Sequence, residues 1–181
     1  MLNSQRATHV VACLRVIKVD EAHTVLSYWN VLIVIWYQPP RAALLARLYG
    51  LGERLAVELE VPKVSVISIV RRRPHQAPTP PAHAALSELH RDPKNILHRF
   101  ALVFANEGFI IAGIRSVLLS VRNKFVGSSN LNVFMSFDDA VRWAIEGLSG
   151  PDASPLAAAS IISSLNEYLA HSENDSPAEA H

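Results

Sequence analysis

Cysteine is nearly absent, Cys13 being the only one among 181 residues. An internal disulfide is thereby excluded, and so is a zinc cage built from thiolates. Cys13 sits in the apolar run Val10-Val11-Ala12-Cys13-Leu14, where a buried inert thiol is expected and not a nucleophile. Glycine is scarce as well, at seven residues. Gly50-Leu51-Gly52 lies inside a helical pattern and follows no strand, so it fails as a dinucleotide-binding fingerprint, and no phosphate-binding loop occurs elsewhere. Charged residues are few, at 18%, against 50% hydrophobic ones, a balance that excludes a disordered chain. Long apolar runs are missing too. Tyr28 to Tyr37 and Phe109 to Val121 are too short to span a bilayer, and the second contains Arg115. Met1 to His9 is polar and lacks the basic start and apolar stretch of a secretory signal. A cytoplasmic protein without membrane insertion is expected.

The charge that is present is unevenly spread. The formal net charge is +1, yet residues 1 to 137 hold 16 basic and 8 acidic side chains, a net of +8. Residues 138 to 181 hold only Arg142 against eight acidic side chains, a net of −7. The length suits one domain able to bury about 70% of its unfolded surface.

Hydrophobic periodicity predicts an α/β chain. Val10 to Val19 and Thr24 to Tyr28 read as strands joined as a hairpin, and the continuous apolar run Val31 to Tyr37 reads as a strand buried on both faces. Pro39-Pro40 ends it. Leu44, Leu48, Leu51, Leu55 and Leu59 recur at steps of three and four, predicting a helix from Arg41 to Glu60 that Pro62 closes. Val64 to Val70 is a further strand. A basic, proline-punctuated loop, Arg71 to Pro78, leads to a helix from Pro80 to about His90. Phe100 to Ala105 is a strand, Glu107 to Phe125 a helix, and Asn132 to Met135 a short strand. Ser136 and Asp139 have capping-box spacing ahead of a helix reaching Leu148. This alternation implies right-handed crossovers and a mostly parallel sheet covered by helices. The expected organisation is a disordered N-terminus (1–9), an α/β domain (10–150), a C-terminal segment (151–171) with a helix from Ser154 to about Ala170, and a disordered acidic tail (172–181).

The order of elements, together with Val133-Phe134-Met135-Ser136-Phe137-Asp138-Asp139-Ala140-Val141-Arg142-Trp143-Ala144, resembles the STAS domain, in its SpoIIAA-like branch. Phe100 to Asn106 before the Gly108 to Arg122 helix is similar to that branch's penultimate strand and helix. The likeness covers residues 10 to 148. It implies a non-catalytic regulatory module that binds a protein partner, as in bacterial signalling, with the helix after Gly150 as an addition to the family core. It also implies a phosphorylated serine at a helix start after a central strand, here after Val64 to Val70. The family's Asp-Ser pair is missing at that place, where the nearest hydroxyl is Thr79. Backbone N–H groups would favour a phosphate there, although Pro80 and Pro81 remove two of them; a plain N-cap is the alternative.

Candidate sites follow from charge. Arg71, Arg72 and Arg73 come directly after a strand, at the end where ligands collect in open α/β sheets. They are either an anion or acidic-partner site or a solvated loop. Arg115 shares a helix face with Arg122 and could meet a carboxylate at a helix or subunit contact. His83 and His90 are seven apart, whereas zinc ligands on one helix usually come four apart, so no metal and no cofactor is expected. Neither a nucleophile elbow nor a Cys-His pair appears, and no enzyme is expected. Nucleic acid is not an expected partner, since no basic face interleaved with aromatics occurs. A protein partner is, a second copy of the chain included. The rival reading is a domain binding a small ligand, a lipid or a nucleotide-like anion. The acidic segment after Gly150 is expected to meet the basic loop Arg71 to Arg73 of its own or a neighbouring subunit.

Overall fold

A computed structural model describes residues 14–19, 21–38, 42–71, 96–104, 130–150 and 155–174. Six strands form one mixed sheet in unbroken sequence order: β1 (Arg15–Val19), β2 (His23–Tyr28), β3 (Val31–Trp36), β4 (Val64–Val70), β5 (Leu97–Phe104) and β6 (Leu131–Phe134). β1 pairs with β2 and β2 with β3 antiparallel, while β3 to β6 run parallel. Three helices are described: α1 (Ala42–Glu58), α2 (Phe137–Ile145) and α3 (Ala158–Asn174). The α/β class, the N-terminal hairpin and the parallel remainder agree with the sequence reading. The helices expected over 80–90 and 107–125, and both chain ends (1–9 and 175–181), lie outside the described residues.

Alternation along each strand divides the core in two. One face buries Leu26, Val31, Ile33, Ile35, Ile67, Ile69, Ala101 and Val103, against which α2 packs Ala140, Val141 and Ala144 and α3 packs Ile161 and Leu165. The other face buries Val25, Leu32, Val34, Trp36, Val64, Val66 and Phe100 under Leu48, Leu55 and Ala56 of α1. A strand covered on both faces needs no polar alternation. That is why β3 is apolar at all six positions, each of them buried.

The turns show how the elements are ended. Tyr28 pairs with Val31, so Trp29-Asn30 is a two-residue hairpin turn, with Trp29 left-handed at φ 49°. α1 ends with Glu60 at φ 54°, the Glu60 N–H donating to Val57 O (3.3 Å) and the Val61 N–H to Ala56 O (3.0 Å). That pair of bonds is the Schellman arrangement, with glutamate where glycine is usual. α2 is capped by Ser136, whose Oγ accepts from the Asp139 N–H (3.3 Å), with Asp138 and Asp139 in the first turn, where the helix dipole favours acids. It ends in a turn closed by the Leu148 N–H on Ile145 O (2.8 Å), with Gly147 at φ 75°, a conformation open to glycine at little cost.

Several boundaries depart from the sequence reading, α2 for one ending at Ile145 and not at Leu148, where the turn at Gly147 intervenes. β5 begins at Leu97 and not at Phe100, because Leu97 pairs with Val64 and the polar His98 and Arg99 find partners at Glu146, which caps α2. β6 stops at Phe134, leaving Met135 exposed. α3 starts at Ala158 and continues to Asn174, into the stretch expected to be tail.

Candidate functional site

The carboxyl ends of β3 and β4 lie side by side, Trp36 in register with Val70. The Arg71 N–H donates to Trp36 O at 3.2 Å, so the first arginine of the basic run is still held by the sheet ladder, and it is half-buried. β2 runs antiparallel and therefore enters at this same end, with His23 opposite Trp36. The Tyr37 and Gln38 N–H groups both donate to Ala22 O (2.9 and 3.2 Å), and the Tyr37 hydroxyl lies 3.4 Å from Thr24 Oγ1.

On the face covered by α1, the core near this end of the sheet is polar in part. Trp36 Nε1–H donates to Ser68 Oγ at 2.8 Å. The His23 ring stacks on the Trp36 indole with centroids 5.7 Å apart. His23, Trp36 and Ser68 are all buried. An indole N–H inside a core needs an acceptor, and a serine on the neighbouring strand supplies it. These residues are buried parts of the sheet's packing.

Of the expected site residues, the structure therefore places Arg71 alone. Arg72, Arg73, Thr79 and Arg115 lie outside the described residues, as do His83 and His90. β6 ends at the same edge two strands from β4, bringing the acidic first turn of α2, with exposed Asp138 and Asp139, to the arginine-bearing end of the sheet. The ligand-binding crevice of doubly wound sheets arises where successive crossovers diverge. The described strands follow one another without reversal, and Arg71 stands at the end of the interior strand β4, whose onward crossover lies outside the described residues.

The amino end of the parallel strands carries a second polar cluster that the sequence did not reveal. Asn30, 1% exposed, donates from Nδ2 to Lys63 O (2.9 Å) and Ser149 O (3.0 Å). Ser65 Oγ–H donates to Ala144 O at 2.6 Å. Arg99 donates from Nη1 to Trp143 O and to Glu146 Oε2 (2.8 Å), with its guanidinium 4.9 Å from the Trp143 ring centroid. His98 Nε2 lies 2.9 Å from Glu146 O. Apart from Lys63 O and the Glu146 carboxylate, the partners are carbonyls in the last turns of α2 or just beyond it, where cations are favoured. The cluster is thus a fastening of α2 and its exit to the sheet. Arg99 and Glu146 are 47 residues apart, a separation with no local sequence signal. His23 could have been found by counting back from the two-residue turn at Trp29-Asn30, which sets it against Trp36.

Two hollows adjoin these ends. A cavity of about 20 Å³ between α1 and the sheet, lined by Leu48, Gly52, Val64, Val66 and Phe100, has room for a single water. An open cleft of about 440 Å³ lies between the end of α2 and the start of α3, with Arg142, Glu146 and Ser149 on its walls. Among the described residues no three His, Cys, Asp or Glu side chains group as a metal site requires. None of the described helices is long and apolar enough to cross a membrane. Comparison with protein-family models, with curated proteins and with solved structures returns no match for this chain.

Proposed function

We propose that the chain is a non-catalytic protein-protein interaction module of the STAS kind, SpoIIAA-like, acting in the cytoplasm and binding a protein partner through the arginine-bearing end of β4. The succession of an antiparallel hairpin, parallel strands joined in chain order and a closing Trp143-bearing helix supports the family reading. The observation that carries the site is the anchoring of Arg71. Its backbone is bonded to O of Trp36, itself buried and bonded to Ser68, so the base of the basic run is set before a partner arrives. Preorganisation of this kind lowers the entropy lost on binding. Cations at a rim chiefly speed encounter with an acidic surface, in a salt-sensitive way. No catalytic group, metal or cofactor is assigned, and phosphorylation at Thr79 is kept as the family-derived form of regulation.

The test is affinity purification from the native host with the wild-type chain and with Arg71→Glu combined with Arg72→Glu and Arg73→Glu. A partner recovered by the wild type at low salt and lost by a variant of unchanged circular dichroism and melting midpoint supports the reading. An identical set of partners from both chains refutes the site. A rise in melting midpoint with a nucleotide or a lipid, and no recovered protein, would favour the small-ligand reading instead.

A further inference from the structure

We draw no further inference here: the strongest candidate, the open cleft between the end of α2 and the start of α3 lined by Arg142, Glu146 and Ser149, rests on a helix N-terminus and an exposed arginine, with no second observation pointing to a ligand.

Discussion

Glu60 holds a conformation that costs an L-residue about 1–2 kcal/mol, because its Cβ approaches the following carbonyl oxygen. It is tolerated because the two bonds of the Schellman turn close α1 and bring Val61 back onto the core. Glu60→Gly keeps both bonds and removes the crowding, at the expense of some unfolded-state entropy. We expect a gain of about 1 kcal/mol in urea unfolding; an unchanged or lower midpoint would count against the strain. Trp36 gives the opposite case. Trp36→Phe retains much of the packing and deletes the donor to Ser68 Oγ in a buried setting, which should cost about 1–3 kcal/mol. Adding Ser68→Ala should recover part of that loss, as no buried hydroxyl then needs the indole; additive costs in the double-mutant cycle would mean the bond contributes nothing.

Among the elements, α1 and α2 are secured by different means. α1 carries Gly50 and Gly52 in its interior. A Cβ at Gly50 meets nothing within 4 Å, and one at Gly52 would stand 3.8 Å from Leu32 Cδ1 and 4.0 Å from Val64 Cγ1, ordinary contact distances. Alanine at either position should therefore stabilise the fold by about 0.8–1.0 kcal/mol through helix propensity. Chemical denaturation of the two single variants checks this, and a loss at Gly52 alone would reveal packing tighter than those contacts. α2 depends on long-range polar ties. Arg99→Met keeps the apolar stem but removes one of the two donors to Trp143 O, the Glu146 N–H remaining at 3.4 Å, an expected loss of about 0.5–1.5 kcal/mol. Its ion pair with the exposed Glu146 adds little, so Glu146→Gln should shift stability by under about 1 kcal/mol. The sheet edges are guarded by local devices. β1 carries a register irregularity between Val16 and Lys18, and on β6 the Asn132 side chain accepts the Val133 N–H at 2.9 Å.

At the scale of the molecule, the charge asymmetry acquires a physical form. The acidic C-terminal portion is not a loose appendage throughout, because α3 seats the fully buried Ile161 and Leu165 in the same core as α2. Truncation after Gly150 removes both and opens one face of the sheet. Since truncating a single buried Leu or Ile to alanine costs about 2–5 kcal/mol, this deletion should largely unfold the protein. Truncation after Asn174 removes Asp175 and Glu179 but no described contact. Its melting midpoint should match that of the full chain, while any salt-dependent partner binding would report on charge alone. Equal stability of the two truncations would contradict the docking of α3.

Most of the fold was legible in the residues. The apolar runs at Val31 to Tyr37 and Val64 to Val70, the leucine spacing of α1 and the capping box at Ser136 are short-range consequences of burial and backbone bonding, so they mark strands and helices without reference to the rest of the chain. Of the proposed site, Arg71 to Arg73 were named from their place after a strand, and only Arg71 falls among the described residues. Tertiary structure decided the remainder. The start of β5 at Leu97, the seating of α3 and the fastening of α2 by Asn30, Ser65 and Arg99 depend on partners far away in sequence. Local pattern records which face of a segment shuns water. It does not record which distant carbonyl an arginine or an asparagine will find there, because that distance exists only once the sheet has assembled.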